Sequence, residues 1–140
     1  MATSKLGLNQ HIPTVSKKIT QDSINRFEAC GILGRKNIHN SPDLAWQRLG
    51  YDRPLASGRM SVSFVAESLR RLFGPDVFNH TGTVNLKFLR PVKDGDTITV
   101  RGAVRSQQQV EAGTLVTGDV FCENQDQDKT ALGTGSAVVP

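Results

Sequence analysis

An α+β fold, with an antiparallel sheet wrapped around one buried helix, is predicted by three observations on the sequence. Helix-start signals crowd the first half of the chain, and alternating apolar runs fill the second. Between them, residues 61–73 form a helix-length segment whose first half carries Val62, Phe64, Val65 and Ala66 almost all around the axis. Such a helix has little face to offer water, so the strands must surround it.

The elements follow in order. Residues 1–13 are polar and punctuated by His11 and Pro13, which predicts a loose N-terminal lead-in before a short strand in VSKKIT, 15–20. Thr20 is suited to cap a helix over about 21–30, with Ile24 and Phe27 on one face and Gly31 placed to end it. Gly31 to Asn40 reads as an irregular loop that carries His39 to the start of the next helix. There Ser41 is the N-cap, Pro42 takes the first helical position, Asp43 complements the dipole and Gly50 closes the helix. The central helix, Ser61 to Phe73, stops at Gly74-Pro75, and Arg70 and Arg71 supply its solvent face. Val84, Leu86 and Phe88 then alternate in TVNLKFLR, and Ile98, Val100 and Val104 in TITVRGAVR. LVTGDVFCEN and GTGSAVV complete the set. Asp94-Gly95 is a hairpin-type signal between two of these runs, and the strands read as consecutive and antiparallel, with no crossover helices.

At 140 residues, without repeats or linkers, residues 1–140 are expected to form a single domain that buries roughly 70% of its unfolded surface. No apolar run approaches the roughly 18 residues that span a bilayer, and the first fifteen residues lack a signal peptide's apolar stretch, so the expected compartment is the cytoplasm. Cys30 and Cys122 form no CxxC pair and are expected as reduced thiols. His11, His39 and His80 show no metal-ligand spacing, so no metal is expected. Net charge is +4, but residues 1–105 hold 16 Lys/Arg against 8 Asp/Glu (+8), while residues 106–140 hold 1 against 5 (−4). A basic region of this kind is open to nucleic acid, anionic lipid or a phosphate-bearing small molecule, and the scarcity of aromatics argues against the first. The GTG at 133–135 leads into a strand rather than opening a helix, which excludes a dinucleotide loop.

Five pieces, ITQDSINRF, NIHNSPDLA, RPLASGRMSVSFVAESL, VNLKFLRPVKDGDTI and GTGSAVV, stand in an order and spacing that resembles the MaoC-like dehydratase family, which includes the R-specific enoyl-CoA hydratases. The resemblance covers almost the whole chain. It implies a hot-dog domain, a sheet curled around a long central helix, working as a homodimer or a higher assembly of dimers. It also implies an acyl thioester on coenzyme A or a carrier protein as substrate, with no cofactor. Family members carry an Asp shortly before a His, in a segment like GDxNPxH, to position water against an enoyl thioester. Here GILGRKNIH matches the histidine at His39, but no Asp or Glu lies between Glu28 and Asp43, and Gly34 marks the approximate place of the acid. In the second element, which usually reads His-Gly-Met, Ser57-Gly58-Arg59-Met60 keeps the glycine whose amide would face the thioester carbonyl.

Each of these residues has a structural and a chemical reading. His39 is either a loop residue packed against the following helix or the acid/base that handles a proton near neutral pH, with Asn40 or Ser57 supplying a hydrogen bond in place of the absent acid. Gly58 is either a tight turn or an oxyanion donor at a helix start. Arg59 is either ion-paired or a ligand for a substrate carboxylate or carrier phosphate. Lys36, Arg35, Arg70 and Arg71 are either solvated or phosphate contacts, and Val62 and Val65 are expected beside the acyl chain. The implied reaction is hydration or dehydration of a 2-enoyl thioester. Without the acid, a double-bond isomerase, a thioesterase, a specialised biosynthetic dehydratase or a non-catalytic thioester-binding subunit remain alternatives.

Overall fold

The computed structural model describes residues 6–30 and 36–140. A strand, β1 (Val15–Lys18), leads to helices α1 (Gln21–Ala29), α2 (Pro42–Leu49), α3 (Gly58–Phe73) and α4 (Pro75–Thr81). Four strands follow: β2 (Thr83–Phe88), β3 (Thr97–Val110), β4 (Gly113–Glu123) and β5 (Lys129–Val139). They form one antiparallel five-stranded sheet in the order β1-β3-β4-β5-β2. The sheet curls over α3, whose Val65, Leu69 and Phe73 are buried against Val100, Val104, Val116, Val120 and Ala137 in one core.

Glycines in β5 allow this close approach. A Cβ on Gly135 would overlap the Leu69 side chain, and one on Gly133 would overlap the backbone oxygen of Asn85 in β2. The GTG sequence therefore serves packing between strand, helix and neighbouring strand. Two serines on the inner face of α3 make that face less uniformly apolar than the sequence suggests. Ser68 is fully buried, and its hydroxyl donates to the Pro13 carbonyl at 2.5 Å.

Several expectations need correction. The lead-in is not loose from residue 9 onward, because Asn9 N–H and Ile12 N–H donate to the Val104 and Gly102 carbonyls at 2.9 and 3.0 Å. Ile12 is only 3% exposed, its Cδ1 filling the space that a side chain at Gly102 would take. The central helix starts three residues earlier than predicted, since Ser57 caps it. Pro75 not only ends one helix but opens another, α4, as proline is pre-set for the first helical position. The Asp94-Gly95 turn does not join sheet neighbours: β2 lies at the far edge beside β5, and the turn instead meets the end of β1, where Gly95 N–H donates to the Ile19 carbonyl at 2.9 Å. At the opposite edge β1 is four residues long, preceded by Pro13 and carrying Lys17 and Lys18.

Candidate functional site

Helix α1 is anchored at its start by a reciprocal cap. Thr20 Oγ1 accepts from Ser23 N–H at 3.0 Å, and Ser23 Oγ accepts from Thr20 N–H at 3.1 Å. Gln21 N–H donates to Asp94 Oδ1 at 3.1 Å, fixing the helix to the Asp94-Gly95 turn. The inner face of α1 then carries Ile24 and, one turn on, Glu28, both buried. A carboxylate at 5% exposure is costly unless a cation compensates it.

The loop before α2 is a knot of local hydrogen bonds. Asn40 Oδ1 accepts from Asn37 N–H at 2.8 Å, Asn37 Oδ1 accepts from His39 N–H at 2.7 Å, and Ser41 Oγ accepts from Leu44 N–H to cap the helix. Gln21 Nε2 also donates to the His39 carbonyl at 3.2 Å, so α1 holds the loop from the other side. The His39 ring does not pack as a cap on α2. Its Nδ1 lies 2.8 Å from the Leu55 carbonyl oxygen. A carbonyl can only accept, so Nδ1 carries the hydrogen and, in the neutral ring, Nε2 keeps its lone pair. That nitrogen is 3.9 Å from Glu28 Oε1.

Leu55 is itself held on both sides. Its N–H donates to the Ile38 carbonyl at 3.0 Å, it bridges to Lys93, and Ala56 N–H donates to the Val92 carbonyl at 2.7 Å. This short extended segment delivers Ser57 and Gly58 to the start of α3. Ser57 is buried, and its Oγ accepts from both Arg59 N–H and Arg59 Nε, each at 3.3 Å. The Gly58 N–H, at the first helical position, has no acceptor within the helix and sits at the positive end of its dipole. The far end of the Phe88 ring packs against it: a Cβ at Gly58 would come within 2.7 Å of the ring. An open hollow of about 450 Å³ adjoins this point, lined by Tyr51, Leu55, Ser57, Gly58, Ser61 and Phe88 among others.

The structure thus brings His39, Ser57, Gly58 and Arg59 into one region. The sequence reading did not assign a role to the residue at its middle, Glu28. Its Oε2 is buried with no hydrogen-bond partner among the described residues, and its nearest cation is Arg59 Nη2 at 3.5 Å. The Arg59 guanidinium also lies 6.0 Å from the centre of the Phe27 ring, so it is engaged within the protein while remaining largely exposed. Glu28 was detectable in the sequence, because it lies four residues after Ile24 on the face that must pack inward.

Other expected residues fall elsewhere. Val65 is completely buried in the core and Val62 half-buried, and neither lines the hollow beside Gly58; Val65 is two helical turns further on, under the sheet. Asn40 holds the loop through its carbonyl oxygen, and Lys36 is exposed beside it. Arg71 pairs with Glu67 at 2.9 Å. Gly31, Gly34 and Arg35 lie outside the described residues. Among the described residues, no three His, Cys, Asp or Glu side chains gather as metal ligands, and no helix is long and apolar enough to cross a membrane.

A five-stranded antiparallel sheet curled over one long helix, the arrangement of the solved structures it resembles, defines a hot-dog domain. Residues 6–125 match the MaoC like domain, and the chain belongs to the MaoC-like family. No curated protein matches it. Among solved structures it is similar to the monoamine oxidase regulatory protein of Archaeoglobus, with a TM-score of 0.79, 21% identity, and 96% of this chain and 90% of that one covered. It is also similar to the (R)-hydratase of A. caviae involved in PHA biosynthesis, with a TM-score of 0.77, 18% identity, and 96% and 98% covered. The HadBC (3R)-hydroxyacyl-ACP dehydratase complex of Mycobacterium tuberculosis gives a TM-score of 0.71 at 17% identity, with 98% of each chain covered.

Proposed function

We propose that this chain is a hydro-lyase acting on acyl thioesters, adding water reversibly across the double bond of a 2-enoyl thioester to give the 3-hydroxyacyl thioester. The observation that carries this reading is the fixed ring of His39. With Nδ1–H given to the Leu55 carbonyl, Nε2 is left as a base, facing Glu28 Oε1 across 3.9 Å. The Gly58 N–H at the start of α3 would donate to the thioester oxygen as negative charge develops on it, which acidifies the carbon next to the carbonyl. Membership of the MaoC-like family supports the same chemistry.

The reaction so written moves only water and a proton, and calls for no cofactor beyond the thioester's own carrier. Arg59 and Lys36, both exposed at this end of the molecule, are the residues we assign to the phosphates of coenzyme A or of a carrier protein's arm, in the cytoplasm. The outer edge of β2 is unpaired in the sheet, with Phe88 and Leu132 exposed beside it, which supports pairing of two copies as a homodimer.

The test is turnover of crotonyl-CoA and longer 2-enoyl-CoAs, followed by loss of the conjugated thioester absorbance. Wild-type protein should hydrate at least one of them, and His39→Ala should lower kcat by about 10²-fold or more. Full activity in His39→Ala would remove the proposed base. Binding without turnover of any enoyl thioester would overturn the hydro-lyase reading.

A further inference from the structure

We propose that Glu28, from the inner face of α1, is the second catalytic group of the site and holds the reacting water together with His39. The inference rests on the hydro-lyase reading above and adds to it a residue that lies outside the loop where the family pattern has its acid.

The carboxylate is 5% exposed, yet it is not consumed by internal hydrogen bonds. Oε2 has none among the described residues, and Oε1 faces His39 Nε2 across 3.9 Å. That gap is too long for a direct hydrogen bond. It is short enough for one water oxygen to lie within about 2.8 Å of both atoms, at the apex of a triangle on that base. A buried carboxylate left so incompletely partnered costs stability in a fold that could have placed a leucine there beside Ile24, and the cost is understandable if the group works. Arg59, 3.5 Å away on the other side, balances its resting charge.

The chemistry follows from the two protonation states. Glu28 as carboxylate accepts one hydrogen of the water, and Nε2 of neutral His39 removes the other as the water oxygen bonds to C3 of the enoyl thioester. The C2=C3 electron pair moves toward the carbonyl, whose oxygen takes the charge at the Gly58 N–H. The imidazolium, stabilised by the facing carboxylate, then returns its proton from Nε2 to C2. The water's hydrogen and hydroxyl are both in the product, and both side chains end as they began.

The experiment compares Glu28→Gln and Glu28→Asp with wild type and His39→Ala on an enoyl-CoA that the wild type hydrates, alongside thermal melts and binding of the unreactive butyryl-CoA. Gln matches Glu in shape but cannot hold the charge; Asp keeps the charge and retracts it by one methylene. The expected result is a fall in kcat of about 10²-fold or more in Glu28→Gln, with KM and butyryl-CoA affinity within about threefold of wild type. Glu28→Asp should retain more activity than Glu28→Gln while melting no higher. A purely structural Glu28 reverses that order, the better-fitting Gln keeping the activity, and this outcome overturns the proposal. So does unchanged kcat in Glu28→Gln when His39→Ala is inactive, a result that leaves the hydro-lyase reading standing. A wild type inert toward every enoyl thioester sinks that reading first and this proposal with it.

Discussion

Replacing Gly135 by alanine tests whether the approach of β5 to α3 is set by the missing side chain. The new Cβ would overlap Leu69 Cδ1 and come within 3.0 Å of Cδ2, and Leu69 is fully buried, so it has nowhere to swing. Overpacking a close-packed core costs about 1–3 kcal/mol. The backbone at Gly135 has no positive φ, so alanine fits the strand and recovers about 0.5–1 kcal/mol of unfolded-state entropy. The net loss is at most about 2.5 kcal/mol, a fall in Tm of up to roughly 8 °C for a chain of this length. Leu69→Ala alone should cost about 2–5 kcal/mol through the cavity it leaves. In that background the clash is gone, so adding Gly135→Ala should be neutral or stabilising, and the cycle should show a coupling equal to the overpacking cost, about 1–3 kcal/mol. Urea denaturation followed by far-UV circular dichroism, at one fixed protomer concentration, reads all four proteins. Losses that add to within about 0.5 kcal/mol would refute the packing argument.

Two further outcomes are expected. Glu67 is held below its ordinary value of 4.5 by its hydrogen bond to Lys17, helped by the charges of Lys17 and Arg71 and opposed by desolvation. Its contribution is therefore fully present above that value and is lost as the pH falls through the lower folded-state value. With the side chain a third exposed, it is worth under about 1 kcal/mol, and Glu67→Gln should flatten this part of the acid limb in pH-dependent urea melts; an unchanged limb argues against the pairing. Burial pushes the Cys122 thiol up to about 11, whereas Cys30 is exposed. A thiol reagent at pH 8 should modify one cysteine quickly and the second only on unfolding, and equal rates would contradict the burial.

What was legible in the sequence was mostly local. Thr20 and Ser41 announce α1 and α2 because a capping side chain and the N–H groups it satisfies lie within one turn. The alternation of Ile98, Val100 and Val104 gives β3 its inward face for the same reason. The position of β2 is different: Asp94-Gly95 is a sound turn signal, but sheet order depends on what packs over α3, and the chain crosses to the far edge. Helix α4 was hidden because seven residues show too little periodicity to oppose the Gly-Pro stop before it. In the candidate site, His39 and Gly58 stand out by pattern, while Glu28 does not, because a glutamate on a short helix reads as solvent-facing. Only its register with Ile24 shows otherwise. For an apolar residue such as Val65, pattern alone does not separate facing a ligand from facing a sheet, and the fold places it in the core cluster with the strand residues Val100, Val104 and Val120.

The unequal ends of the sheet decide how copies of this chain can grow. The β1 end is four residues long, preceded by Pro13 and guarded by two lysines, which makes it a poor template for another strand. The β2 end is six residues long with a single lysine and no proline. A molecule with one receptive end and one blunted end cannot add to itself head to tail without limit. Any strand pairing through the β2 edge would use that edge up and leave only the blunted β1 edges, which disfavours endless strand addition.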